Sequence, residues 1–116
     1  MNKYFDRQEF RCFCGKCGLS TVDAELLDVL TRLREYYKLP VIITSGNRCK
    51  THNAIVGGTP KSKHLDFTAA DIIVKGVSPL LVSTTLDDMY PDKYGIGTSE
   101  WFTHIDIRPT KNRWAY

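Results

Sequence analysis

Residues 102–107 read Phe102-Thr103-His104-Ile105-Asp106-Ile107, and from His104 onward two side-chain types, polar or charged and isoleucine, alternate along the chain. Successive side chains of a β-strand point to opposite faces, so His104 and Asp106 share one face and the two isoleucines share the other. The isoleucine face suits a hydrophobic core. We therefore expect the face that carries His104 and Asp106 to border a cleft.

Four further segments of regular structure are predicted on the N-terminal side of this strand. Apolar residues recur every three or four positions over residues 20–39, which predicts an amphipathic helix that ends before Pro40. A second helix is predicted over residues 79–89. The β-branched run at residues 41–44 predicts a buried central strand, and residues 67–74 predict another strand.

Caps and turn residues set the limits of these segments. Ser20 or Thr21 is predicted to cap the first helix, and Ser78 followed by proline to open the second. Residues 48–66 lack apolar periodicity and contain a Gly-Gly-Thr-Pro turn signal, so we predict a long irregular connection of the kind that usually carries function. Residues 90–99 are rich in turn formers.

The composition restricts the class of protein. A chain of 116 residues fits one domain, and a hydrophobic fraction of 42% supports a folded core. No apolar run can span a membrane, and the charged start lacks the apolar stretch of a signal peptide, so we expect synthesis in the cytoplasm and no membrane partner. The net charge of +3 comes without a basic stripe, which argues against a nucleic-acid partner, and nothing requires more than a monomer.

Three histidines, His52, His64 and His104, lie outside the predicted helices. His64 precedes Asp71 by seven residues, a separation of about 10 Å along a helix face and more than about 20 Å along a strand. A shared metal therefore requires the chain to fold back, with Asp71 on a strand and His64 in the loop before it. Two histidines and one carboxylate form a usual set for catalytic zinc, although this spacing also arises by chance.

Several motifs resemble those of one known family. The pattern Ser62-x-His64-x-x-x-x-Ala69-x-Asp71 is similar to the signature of the zinc D-Ala-D-Ala carboxypeptidases, which include phage endolysins and share their fold with the hedgehog signalling domain. The resemblance covers about residues 26–114 and keeps the order of the motifs. The other matching motifs are Ser45-Gly46-Asn47-Arg48, His52-Asn53 with Val56-Gly57-Gly58, Gly95-Ile96-Gly97, residues 102–108 and Arg113-Trp114.

The resemblance implies an α+β fold in which helices pack on a small, largely antiparallel sheet with a metal on its open face. It implies that His64, Asp71 and His104 bind one catalytic Zn²⁺, with a water in the fourth position as the nucleophile. Arg48 would face the substrate carbonyl, with pairing to Asp66 as the structural alternative.

Ser62 and His52 would support the loop or the substrate, and Ser62 can equally be a turn residue. The general base is a choice between two acids, because Trp101 occupies the position where the family often carries an acidic residue. We favour Glu100, four residues before His104, over Asp106, which can instead orient a metal ligand. Phe67 replaces a glycine of the signature, which leaves the conformation of that loop open.

Four cysteines complete the set of candidate residues: Cys12, Cys14, Cys17 and Cys49. Without a leader, stable disulfides are not the default expectation. A second, structural zinc ion, disulfides formed after release into an oxidising space, and free thiols all stay open.

The resemblance implies a single zinc peptidase domain over residues 1–116, with residues 1–19 as a cysteine-containing arm. The expected substrate is the stem peptide of bacterial peptidoglycan, cut by a D-Ala-D-Ala carboxypeptidase or an L-Ala-D-Glu endopeptidase. A phage endolysin that reaches the cell wall after release is the simplest biology, and a prophage-encoded bacterial peptidase is close to it. The alternatives are a non-catalytic zinc module of the same fold in wall binding or assembly, and a cysteine-based nucleic-acid module.

Overall fold

The computed structural model describes residues 3–10, 23–45 and 68–116. In these residues two α-helices and five strands form a small α+β fold, which confirms the expected fold class. The elements, in chain order, are a 3₁₀ turn at Arg7–Phe10, α1 at Ala24–Tyr37, β1 at Val41–Ser45, β2 at Ala69–Val74, α2 at Pro79–Met89, β3 at Gly95–Thr98, β4 at Thr103–Asp106 and β5 at Asn112–Ala115.

The strands form one sheet in the order β1-β2-β4-β3-β5. Every neighbouring pair is antiparallel except β3 and β5, which run parallel. Strand β4, which carries the alternating residues His104, Ile105 and Asp106, occupies the centre between β2 and β3. The prediction of a largely antiparallel sheet is thus confirmed.

Strand β1 is not the buried central strand that its sequence predicted. It pairs with β2 and forms one edge of the sheet among the described residues. Val41 and Ile43 are buried, whereas Ile42 between them is 48% exposed. A β-branched run fits a strand with one buried face as well as a strand with two, so its composition could not distinguish the two positions.

Helix α1 begins later than predicted, because its N-cap is Asp23 and not Ser20 or Thr21. The Asp23 carboxylate accepts a hydrogen bond of 2.8 Å from the Glu25 backbone N–H, and its charge also suits the positive end of the helix dipole. The helix ends at Tyr37, and its C-cap Lys38 adopts a left-handed φ of 56° that closes the last turn before Pro40.

Helix α2 has the predicted limits. The Ser78 hydroxyl accepts a hydrogen bond of 3.2 Å from the Leu81 N–H, and proline occupies the first turn. Strands β3 and β5 were not predicted. Strand β3 reads Gly-Ile-Gly-Thr, and glycine has low strand propensity, so the segment resembled a turn.

The core lies between one face of the sheet and the two helices. Its residues include four from α1, four from β2 and β4, and two from α2, namely Leu26, Val29, Leu30, Leu33, Ala70, Ile72, Val74, Ile105, Val82 and Leu86. Phe5 and Phe10 join this cluster with ring centroids 6.0 Å apart, so the N-terminal segment belongs to the core and is not only an arm. Neither α1 nor α2, the helices of the described chain, is long and apolar enough to cross a membrane.

Tyr94 connects β3 to α1. Its backbone adopts φ 70°, a left-handed conformation that is uncommon for residues other than glycine. The side chain is buried, and its hydroxyl donates a hydrogen bond of 2.6 Å to Glu25 Oε2. Burial, and then the hydrogen bond to this carboxylate, raise the pKa of Tyr94 well above its ordinary value.

Candidate metal centre

Asp71 and His104 face each other across two neighbouring strands. In the antiparallel register of β2 and β4 the two residues form a direct pair, which places their side chains on the same face of the sheet. His104 Nδ1 lies 3.0 Å from Asp71 Oδ1. The prediction that Asp71 lies on a strand is confirmed, and the structure brings it to the last histidine of the chain.

Asp106 contacts the other nitrogen of the same ring. His104 Nε2 lies 2.8 Å from Asp106 Oδ2, so the imidazole is held between two carboxylates. His104 is 6% exposed and Asp106 is 0% exposed. Burial alone disfavours the charged ring, but the hydrogen bonds to Asp106 and Asp71 outweigh it and raise the pKa of His104.

Arg108 forms a bidentate ion pair with the Asp106 carboxylate. Its Nε donates to Asp106 Oδ1 and its Nη2 to Asp106 Oδ2, each at 2.7 Å, and its backbone N–H adds a bond of 3.2 Å to Oδ1. Burial would raise the pKa of Asp106, but the hydrogen bonds from His104 and Arg108 outweigh it and keep that pKa well below the usual range. Asp106 is therefore a buried carboxylate with both oxygens engaged.

Trp114 covers this face of the sheet from β5. Its ring centroid lies 5.1 Å from that of His104, and the Arg108 guanidinium carbon lies 5.3 Å from the same tryptophan. A Cβ at Gly97 would lie 2.5 Å from Trp114 Nε1, closer than any side chain allows. The indole of Trp114 packs over Gly97, one of the glycines that made β3 look like a turn in the sequence.

The donor set fits zinc. A carboxylate oxygen and an imidazole nitrogen are usual zinc ligands, and two ligands of one tetrahedral ion lie about 3.3 Å apart, close to the 3.0 Å between Asp71 and His104. A zinc-bound histidine normally donates its second N–H to a carboxylate, as Nε2 can to Asp106. Within the described ranges, however, no three histidine, cysteine or acidic side chains converge on one point, because Asp106 meets the opposite side of the ring.

Glu100, the favoured general base, lies in the loop between β3 and β4. The Ser99 hydroxyl accepts hydrogen bonds from the N–H groups of Trp101 and Phe102, which shapes this loop. Glu100 is exposed, and no other described residue forms a hydrogen bond or ion pair with it. Trp101, at the position of the missing acid, is 77% exposed.

The other predicted site residues lie outside the described residues. They are Arg48, His52, Ser62, His64, Cys12, Cys14, Cys17 and Cys49. Their roles stay predictions.

Two residues of this site were not predicted as functional, Arg108 and Trp114. A sequence signal existed for both, because residues 102–108 and Arg113-Trp114 are motifs that match the family. For Arg108 the alternation that places His104 and Asp106 on one face also continues for two more positions. Trp114 reaches the site only through the pairing of β5 with β3, which local sequence does not encode.

Residues 3–106 match a protein family described as Peptidase M15. The matched range contains Asp71, His104 and Asp106 and begins before the N-terminal cysteines, whereas the motif resemblance began at about residue 26. Strand β5 lies beyond the end of the match. No curated protein matches the chain.

Proposed function

Since the chain belongs to the Peptidase M15 family, the zinc D-Ala-D-Ala carboxypeptidase family that its motifs resemble, we propose that it is a zinc-dependent peptidase of bacterial peptidoglycan. It hydrolyses a bond in the stem peptide, as a D-Ala-D-Ala carboxypeptidase or an L-Ala-D-Glu endopeptidase. A phage endolysin, or the closely similar prophage-encoded peptidase, is the biological setting that we propose.

One observation carries this proposal: Asp71 Oδ1 and His104 Nδ1 lie 3.0 Å apart on neighbouring strands, while a buried carboxylate holds the other ring nitrogen. We assign Asp71 and His104 as two zinc ligands and His64 as the third. A bound zinc ion would polarise the scissile carbonyl and lower the pKa of a bound water. The cluster fixes the ligands before the metal binds, which reduces the cost of ordering them.

The two candidate acids receive different roles. Four N–H groups of His104 and Arg108 already bond the oxygens of Asp106, and its carboxylate is fully buried, so it is poorly placed to accept a further proton. We assign Asp106 to the orientation of His104. Glu100, exposed on the neighbouring loop, is our proposed general base.

The substrate side of the site rests on the resemblance alone. Arg48 is proposed to donate hydrogen bonds to the substrate carbonyl as charge develops on its oxygen. Ser62 and His52 are proposed to support the loop or the substrate.

A non-catalytic zinc module of the same fold is the second candidate. The observation that favours it is Trp101, an exposed tryptophan at the position where the family often carries an acid. Such a module would bind zinc and cell wall but release no fragments.

Incubation of the full chain with purified peptidoglycan, followed by mass spectrometry of the fragments, tests the proposal. We expect fragments cut at one stem-peptide bond, loss of hydrolysis with a chelator, and recovery with added zinc. The fragment masses distinguish the carboxypeptidase from the endopeptidase. Hydrolysis that persists in metal-free buffer contradicts the zinc mechanism, and zinc binding without any fragment favours the second candidate.

Metal content of variants tests the ligand set. His64→Ala should lose the bound zinc, whereas His52→Ala should retain it. Equal losses in both variants would show that the third ligand is wrongly assigned.

A further inference from the structure

We propose that Arg108 is a positioning residue of the metal centre, an inference that rests on the proposed function. Its guanidinium fixes the Asp106 carboxylate, and Asp106 in turn fixes the ring of His104 with Nδ1 toward Asp71. Arg108 acts on the proposed metal ligand His104 through Asp106.

The first step is the pairing of Arg108 with Asp106. Two parallel hydrogen bonds of 2.7 Å join a planar guanidinium to a planar carboxylate, which fixes the rotation of the carboxylate as well as its position. Asp106 Oδ2 therefore stays at the place where it meets His104 Nε2. A carboxylate held at one point only could rotate away from the ring.

The second step is the orientation of the imidazole. Rotation of the His104 ring by half a turn exchanges Nδ1 with a carbon and Nε2 with another carbon, so only one orientation bonds both Asp71 and Asp106. With Asp106 fixed, Nε2 is the nitrogen that keeps its proton as a donor. Nδ1 is then the nitrogen that can bind a metal together with Asp71.

The third step is the support of Arg108 itself. Its guanidinium lies over Trp114, and a Cβ at Gly95 would approach Asp106 Oδ2 to 2.5 Å and Arg108 Nε to 2.6 Å. The space that a side chain at position 95 would need is thus filled by the ion pair. The backbone at Gly95 and the indole of Trp114 together restrict the guanidinium to its position beside Asp106.

A second arginine offers a matched control. Arg113 Nε donates to Asp87 Oδ1 at 2.7 Å, the same distance as in the Arg108 pair, and both arginine side chains are 23% exposed. Arg113 joins β5 to α2 and bonds the backbone carbonyls of Tyr90 and Tyr94. It shares the chemistry of Arg108 but does not contact His104 or Asp106.

Zinc affinity of the metal-free full chain is the first measurement, with Zn²⁺ as the probe and a chromophoric chelator as the competitor. We expect Arg108→Gln to weaken zinc binding by up to about 10-fold, the lower end of the usual cost of changing a ligand's hydrogen-bond partner, because Arg108 acts on His104 one residue further away, through Asp106. Arg108→Lys, which keeps the charge but makes one contact in place of two, should fall between that variant and the wild type. Arg113→Gln should leave zinc affinity unchanged, whatever its melting temperature.

The ring proton of His104 is the second measurement, because a purely structural role would not change it. In nitrogen-15 spectra of the zinc-loaded wild type we expect a slowly exchanging Nε2–H on His104, one of three histidines in the chain. Arg108→Gln should make that proton exchange faster, and Arg113→Gln should not. If Arg108→Gln does not fold, Arg108→Lys provides the same comparison.

The outcomes separate this inference from the function on which it rests. Wild-type protein that binds no zinc overturns the proposed function, and this inference with it. Wild-type protein that binds zinc, with the same affinity and the same ring-proton exchange in the Arg108 variants, overturns this inference alone.

Discussion

On β4, neighbouring residues that point to opposite faces of the sheet are equally buried but for opposite energetic reasons. Ile105 and Asp106 are neighbours on β4, and both are 0% exposed. Burial of an isoleucine side chain contributes roughly 1.5–3 kcal/mol to folding. Burial of a carboxylate costs several kcal/mol unless partners compensate, as His104 and Arg108 do here.

This difference distinguishes the residues that stabilise the fold from the residues of the candidate site. A buried charge network is seldom more stabilising than apolar residues of the same size, so stability does not explain Asp71, His104, Asp106 and Arg108. Burial of the apolar face stabilises the fold, whereas the polar face holds the residues that we propose to bind and orient the metal. Substitutions on the polar face should therefore change zinc affinity more than the free energy of unfolding, and substitutions on the apolar face should do the opposite.

His104→Ala should have the largest effect, because it removes a proposed zinc ligand. We expect hydrolysis to be lost and zinc affinity to fall by more than the roughly 100-fold that loss of a supporting residue costs. The protein should still fold, since Arg108 continues to neutralise Asp106. Chelator competition and thermal unfolding measure both properties, and retained zinc affinity would contradict the assignment.

Ile105→Ala, one residue further along β4, should lower stability and leave zinc affinity unchanged. It leaves a cavity in the core and should lower the free energy of unfolding by about 2–5 kcal/mol. Zinc affinity of the folded molecules should not change. Denaturant titration measures the loss, and Ile105→Val, expected to cost about 0.5–1.5 kcal/mol, is the graded control.

Gly97→Ala should affect the polar face through packing alone. The added methyl group meets the Trp114 indole, and overpacking of this kind costs about 1–3 kcal/mol. In a Trp114→Phe background the cost should shrink, which a double-mutant cycle of unfolding free energies measures. Equal costs in both backgrounds would mean that the indole does not limit the space.

Tyr94→Phe should have the smallest effect, a loss of about 1 kcal/mol from the hydrogen bond to Glu25, with no change in zinc affinity. The raised pKa of Tyr94 also predicts a pH dependence. The folded state keeps this proton to higher pH than the unfolded state, so the contribution is complete below about pH 10 and declines as the pH rises further.

Unfolding free energies of wild type and Tyr94→Phe between neutral and alkaline pH measure that decline. The difference between the two proteins should shrink above about pH 10. A difference that stays constant with pH would show that Tyr94 does not titrate differently on folding.

Local signals explain most of what the sequence predicted of the fold. Ser78 and Pro79 determine the start of α2 through local contacts, and the alternation of polar and apolar side chains was enough to assign the two faces of β4. The edge position of β1 and the existence of β5 depend on pairing between distant segments. Strand β3 was not predicted because glycine has low strand propensity. Its two glycines are explained by packing, since a side chain at Gly95 would clash with the Arg108–Asp106 pair and one at Gly97 with Trp114.

The candidate site was predictable in part for the same reason. The motifs selected Asp71 and His104, and the structure pairs them across β2 and β4. Alternation placed Asp106 beside His104 but could not show which ring nitrogen it meets or that Arg108 occupies both of its oxygens. Those facts depend on strand register and rotamers, which the order of residues does not reveal.

The local stability of strand β5 has a consequence for access to the candidate metal centre. It is a four-residue strand that pairs only with β3 in the described sheet and is joined to α2 through Arg113, and a short edge segment opens at a smaller free energy than the whole domain. Each opening event would carry Trp114 away from Gly97 and Arg108. Amide hydrogen exchange of β5 under native conditions therefore reports the fraction of molecules in which this side of the candidate metal centre is open while the core stays folded.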